Sequence, residues 1–166
     1  MNKSIADASV LYNGDFFRVI TMSRGMLLYA DPDMPTRLLL PAASDMELGF
    51  EVRRALSGSK RISASDFQAL LKSGVVQKNK KEIEAVLTNQ FSYKSRRDMF
   101  LKMKCCDVGI YSDEIQIRPQ HHNSIDGYSG ISQDGPEILR LAPTVSDDEL
   151  GAALREGFLR CTSEWP

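Results

Sequence analysis

Two stretches of the chain set the same polar and apolar pattern ahead of the same helix signal. "PAASDMELG", Pro41 to Gly49, and "PTVSDDELG", Pro143 to Gly151, agree at six of nine positions. Each follows a short β-like run that stops at proline, "TRLLLP" in one case and "EILRLAP" in the other. Behind each, apolar residues recur at helical spacing: Leu48, Val52, Ala55 and Leu56 in the first, and Leu150, Ala153, Leu154, Phe158 and Cys161 in the second. Ser44 with Glu47, and Ser146 with Glu149, have the spacing of a capping box. There the serine side chain accepts the N3 amide and the glutamate reaches back to the cap amide. Asp45, Asp147 and Asp148 fall where the helix dipole favours negative charge. Glycine early in a helix costs about 1 kcal/mol relative to alanine. The recurrence of Gly49 and Gly151 therefore points to close packing of each first turn, expected here against a strand.

The patterns upstream match as well. "FFRVITM" and "GMLLYA", separated by Ser23-Arg24, predict a hairpin before the first copy; "DVGIY" and "EIQIR", separated by Ser112-Asp113, predict one before the second. In the latter, Ile115 and Ile117 share one face while Gln116 and Arg118 share the other. Between the two units lies a helical insertion: "SASDFQALLKSG", then "KNKKEIEAVLTNQF" with Ile83, Val86, Leu87 and Phe91 inward, then "SRRDMFLKMK" with Met99, Phe100 and Met103 inward. The expected fold is α+β, a mainly antiparallel sheet of about six strands. It is built from two ββ-β-α units over about 16–58 and 107–161, with the helical insertion over about 63–104, in a single domain spanning 1–166.

Hydrophobic content of 42% and charged content of 26% exclude disordered and fibrous classes. The N-terminal stretch lacks an apolar signal-peptide core, and no window approaches a bilayer span. Three cysteines, an odd number in a chain able to bury a core, fit a reducing compartment, so a cytoplasmic location is expected. The net charge of −1 hides a split. Residues 72–104 carry 9 basic and 3 acidic side chains, whereas residues 105–166 carry 4 basic and 11 acidic. Such asymmetry acts on partner choice and encounter rate rather than on fold.

Candidate chemistry is sparse. His121 and His122 stand together in "RPQHHNSIDGYSG", fifteen residues after Cys105-Cys106, yet neighbouring cysteines and neighbouring histidines match no zinc spacing. No nucleophile elbow or Gly-rich phosphate loop occurs, so a hydrolase or nuclease using His121 or His122 is the catalytic alternative. The basic runs "KNKKE" and "YKSRR" leave a nucleic-acid-binding module through residues 72–104 as another, on charge alone. No cofactor or metal is implied. The acidic last third, with Asp107, Asp113, Glu114, Asp126, Asp134 and Glu137 near expected turns, and Tyr128 as an aromatic of the kind that anchors interfaces, offers a surface for a basic partner.

"YKSRRDMFLKMKCCDVGIYSDEIQIRPQHHNSIDGYSG", followed by "LRLAPTVSDDELGAALREGFLRC", resembles the immunity proteins of bacterial contact-dependent growth inhibition, the CdiI family. The matching features are a Tyr-x-x-basic start, Met-x-x-Cys before a strand, "I-x-I-x-P" ahead of histidine, an aromatic-Ser-Gly and the closing "S-x-x-E-L-G-A-A-L-R". "LLLPAASDMELGFEVRRAL" fits too, so the resemblance covers about residues 36–166. Met99-Phe100 and Tyr128, where the family pattern has Leu-Phe and tryptophan, depart from it. The resemblance implies a non-enzymatic protein that binds, one to one in the cytoplasm, the toxic C-terminal domain of its cognate CdiA effector. Toxins of such systems are often nucleases, including RNases of the EndoU type, and a nuclease cleft is basic. Asp113, Glu114, Asp126, Tyr128, Asp134 and Glu137 are the toxin-binding candidates. Charge complementarity of this kind raises association to about 10⁸ M⁻¹s⁻¹ or more at low salt.

Overall fold

The stretch Ala6–Tyr12, which carries no strong strand signal, is a strand buried on both faces at the centre of the sheet. Its alternation sends Ala8 and Val10 to one side and Asp7, Ser9 and Leu11 to the other. Two polar residues on the second face hide the apolar period. The structure, a computed structural model, describes residues 3–132 and 135–166. Its elements run β1 Ala6–Tyr12, β2 Phe17–Arg24, β3 Leu28–Ala30, β4 Arg37–Leu39, α1 Asp45–Ser57, α2 Ala64–Ser73, α3 Val75–Gln90 and α4 Arg96–Phe100 in the first part. They continue with β5 Lys104–Ile110, β6 Ile115–Ser124, β7 Gly127–Gly130, β8 Leu139–Leu141, α5 Asp147–Leu159 and β9 Thr162–Ser163.

The fold is α+β around a mainly antiparallel sheet. Six strands lie on its continuous path, β3-β2-β1-β5-β6-β7, with β4 added to β2 and β8 and β9 added to β6. The β6–β9 pairing alone is parallel among the named strands. Two corrections to the expected hairpins follow. Ser23 and Arg24 belong to β2, and the turn falls at Gly25–Leu27. The strand expected to open the first unit is its second, because β1 precedes it.

With β1 included, the strand registers of the two units correspond. Val10 pairs with Val19 as Val108 pairs with Ile117, and Phe17 pairs with Leu39 as Ile115 pairs with Leu141. The units join through β1 and β5, where Ser9 faces Asp107 across a pseudo-two-fold axis. The same axis passes between α1 and α5. A Cβ on Gly49 would lie 1.8 Å from the Asp147 carbonyl oxygen, and one on Gly151 1.8 Å from that of Asp45. The first turns thus pack on each other's backbone and not on a strand, which corrects the reading of the repeated glycine. Arg53 Nε donates to Asp147 Oδ1 at 2.7 Å and Arg155 Nε to Asp45 Oδ1 at 2.7 Å. Each guanidinium also reaches the backbone ahead of the opposite helix, at Val145 and Ala43 respectively.

Helices α1 and α5 cover one face of the sheet, burying Leu48, Val52, Leu56, Leu150, Leu154 and Phe158 against Val10, Phe17, Val19, Cys106, Val108 and Ile117. The insertion covers the other, where Leu87, Met99, Phe100 and Met103 meet Leu11, Phe16 and Cys105. Ile83, Leu87 and Phe91 form the inward seam of α3. Val86, expected inward, is 61% exposed. It lies about 100° around the helix from Leu87 and faces a groove walled by Pro32, Met34 and Leu38.

Candidate functional site

Ser44 and Ser146 adopt extended backbone and accept the amides of Glu47 and Glu149 at 3.1 Å each. The reciprocal half of the capping box is not formed among the described residues: Glu149 Oε1 instead accepts from Ser146 Oγ at 3.2 Å. These four residues sit beside the α1–α5 contact and serve the scaffold.

The acidic candidates do not converge. Asp113 is exposed in the β5–β6 turn, closed by the Tyr111 amide on the Glu114 carbonyl at 2.8 Å. Glu114 is tied to Arg140 at 2.6 Å and accepts from Gln116 at 2.7 Å. Asp126 and Tyr128 lie at the opposite end of β6, whose ten residues span about 33 Å. Glu137 precedes β8 and accepts from Ser132 Oγ at 2.6 Å. Asp134 lies outside the described residues.

Asp126 is committed internally. Its Oδ2 accepts from Lys80 Nζ at 2.7 Å and Arg96 Nη2 at 2.6 Å, and Arg96 also clamps Glu84 at 2.5 and 3.1 Å. The hydrogen bond from Lys80, reinforced by Arg96, holds the Asp126 carboxyl down at about 2. Arg96 is held well above its ordinary range, chiefly by its bond to Glu84. This network pins α3 and α4 to the β6–β7 turn, and it absorbs two of the basic residues that made 72–104 a phosphate candidate. The sequence reading missed Glu84, although its three-residue spacing from Leu87 puts it on the inward side of α3.

The histidines hold the chain's end. His122 is buried, stacks on Tyr128 with centroids 4.5 Å apart, touches Trp165 at 5.0 Å, and its Nε2 bonds the Ile125 carbonyl at 3.1 Å. His121 Nδ1 bonds Thr162 Oγ1 at 2.7 Å and its Nε2 lies 3.3 Å from Glu164. Tyr128 donates to the Met103 carbonyl at 3.3 Å, and burial pushes its hydroxyl well above the usual range. Cys105 and Cys106, consecutive in β5, point to opposite faces of the sheet. Among the described residues no group of three or more His, Cys, Asp or Glu side chains is placed to hold a metal.

The features most like a binding site lie between the sheet and the insertion. A cleft of about 440 Å³ runs under α2 and α3 and is lined by Ser9, Arg18, Cys105 and Tyr128, with Leu27 and Leu71 among its outer residues. A wider groove of about 900 Å³ on the far side of α3 is lined by Lys80, Lys81, Tyr93 and Arg96. Arg18 went unnoticed in the sequence because it sits inside a plausible strand; its position between Phe17 and Val19, both on the α1 face, was the available signal.

This arrangement, a two-unit sheet with a helical insertion on one face, is that of a bacterial immunity protein. The family model for the CDI immunity protein, CdiI, matches residues 6–161, and the chain belongs to that family. It is 29% identical over 167 residues to the immunity protein CdiI-YPIII of Yersinia pseudotuberculosis serotype O:3, covering 93% of this chain and 94% of that protein. A chain of the CdiA-CT/CdiI toxin and immunity complex from Yersinia pseudotuberculosis superimposes with a TM-score of 0.84 at 30% identity, over 96% of this chain and 98% of that one. A protein of unknown function from Neisseria meningitidis shares the fold, with a TM-score of 0.86 at 22% identity over 97% and 98% of the two chains. No helix among the described residues is long and apolar enough to cross a membrane.

Proposed function

We propose that this chain binds the C-terminal toxin domain of its cognate CdiA effector, one to one in the cytoplasm, and blocks it without catalysing a reaction. The observation that carries this reading is the likeness, across nearly the whole of both chains, to a chain of a CdiA-CT/CdiI toxin and immunity complex. The toxin opposed is a nuclease, with an EndoU-type RNase as the specific expectation that the family resemblance implies; the excess of acid over base in residues 105–166 supports a partner whose cleft attracts phosphate. On this reading Asp113 and Glu137 are the described carboxylates that contact the toxin. Asp126 and Glu114 act through the loops they fix, since their carboxylates already have cationic partners.

Calorimetric titration against the toxin domain encoded beside this chain, with toxin activity followed in parallel, tests the role. Tight equimolar binding with loss of toxin activity is expected; absence of binding overturns it. In Asp113→Lys/Glu137→Lys the association rate at low salt should fall several-fold, with dissociation little changed, as for rim charges generally. Unchanged association in that variant moves the contact to another face while leaving the role intact.

A further inference from the structure

Arg18 is 5% exposed, and among the described residues its side chain makes no hydrogen bond or ion pair; its Nε is buried without a partner. Alternation along β2 sends Phe17 and Val19 into the α1 core and Arg18 the other way, into the cleft under α3. A buried guanidinium is costly unless paired, and structures normally pair it. The other charged side chains that line this cleft all have opposite charges of their own: Lys80 has Asp126, Glu84 has Arg96, and Asp31 has Lys60 at 3.7 Å. Ser9 and Cys105, beside Arg18, are directed to Asp107, whose carboxyl burial pushes up. Among the described residues Arg18 is thus the one charged side chain of the cleft without an ion pair of its own; Glu84, already clamped by Arg96, acts on it only through space. Around its mouth stand Leu27, 68% exposed, and Leu71, 53% exposed, with Leu28 and Val76.

We infer that this cleft is a carboxylate site: Arg18 pairs in its planar fork with a carboxylate carried on an apolar body, which the leucines at the mouth cover. Two oxygens on a carboxylate match the parallel N–H groups of a guanidinium, and exclusion of water strengthens that pair. The carboxylate belongs either to an Asp or Glu flanked by apolar residues in the toxin, in which case the inference rests on the proposed function, or to a free aliphatic acid. Burial, which lowers the affinity of Arg18 for its proton, is the same desolvation that an arriving anion relieves.

The test compares the wild-type chain with Arg18→Met, which keeps the stem and removes the charge, and Arg18→Lys. Sodium hexanoate is the free probe, read by thermal shift and by the Arg18 Nε–H resonance; the toxin domain is the second probe, read by calorimetry. Arg18→Met should unfold at a higher temperature than wild type, because an unpaired buried charge is removed; an Arg18 of purely structural value would give a lower one. A hexanoate-dependent stabilisation and resonance shift, lost in Arg18→Met, assigns the site to a free carboxylate. Toxin binding weakened by about thirtyfold or more in Arg18→Met, with hexanoate silent, assigns it to the toxin. If hexanoate is silent and toxin affinity is unchanged in Arg18→Met, the inference is overturned. A wild-type chain that fails to bind toxin removes only the second arm, and hexanoate then decides alone.

Discussion

The contact between α1 and α5 makes a sharp prediction about two glycines that a helix scale would replace. Alanine at Gly49 places a methyl carbon 1.8 Å from the Asp147 carbonyl oxygen, 2.6 Å from its carbon and 2.9 Å from its Cα. All three are backbone atoms, so no side chain can swing aside, and the helices must separate by more than an ångström to restore ordinary contact. That separation pulls Arg53 and Arg155 from their opposite carboxylates and loosens Leu48 and Leu150 in the core. Overpacking of this sort costs about 3 kcal/mol at the upper end of its usual range. The gain in helix propensity on leaving glycine returns about 1 kcal/mol. The net expectation is a loss of about 2 kcal/mol, or about 4 to 8 °C in Tm for a chain of this size. Thermal and urea unfolding followed by circular dichroism measure it. Gly151→Ala should match Gly49→Ala, since the pseudo-two-fold axis makes the two contacts equivalent. The double variant should cost clearly less than the sum, because the first methyl has already opened the space the second needs. A neutral or stabilising Gly49→Ala would refute the close approach, and strict additivity would refute the shared interface.

Other consequences can be checked as directly. Asp126 has a folded-state pKa of about 2, below its unfolded value, so its contribution is present above about pH 4 and is lost as pH falls toward 2. Asp126→Asn should cost about 1 kcal/mol at neutral pH, a figure held down by solvent screening, and should flatten the acid limb of the stability profile between pH 4 and 2; an unchanged limb counts against the network. Cys161 is partly exposed and lies 3.8 Å from Cys106, and the hydrogen bond between their thiols brings Cys161 down to about 7. Maleimide at neutral pH should therefore modify Cys161 first. Cys105 and Cys106, pushed up by burial, should react only on unfolding. Peptide mass spectrometry reads the order, and early labelling of Cys105 would contradict the packing.

Much of this molecule was legible in the chain because its signals are local. A serine before a helix, a glutamate three positions on and apolar residues at helical spacing need no distant partner, so Ser44, Ser146 and the core faces of α1 and α5 stand in the sequence as they stand in the fold. The repeat itself was visible for the same reason, as was the family through its motif. What the tertiary structure decided is where long-range partners meet. Strand β1 is polar on one face and becomes central only because β2 and β5 pair on either side of it. Gly49 is explained by Asp147, which no local pattern couples to it. Asp126 reads as a free surface charge until α3 and α4 bring Lys80 and Arg96 against it. Arg18 becomes a buried cation with an unpartnered Nε only once the insertion closes over the sheet. Capping and periodicity are properties of a few adjacent residues, whereas compensation of charge and closeness of backbones are properties of pairs, and the chain states a pair only when it folds.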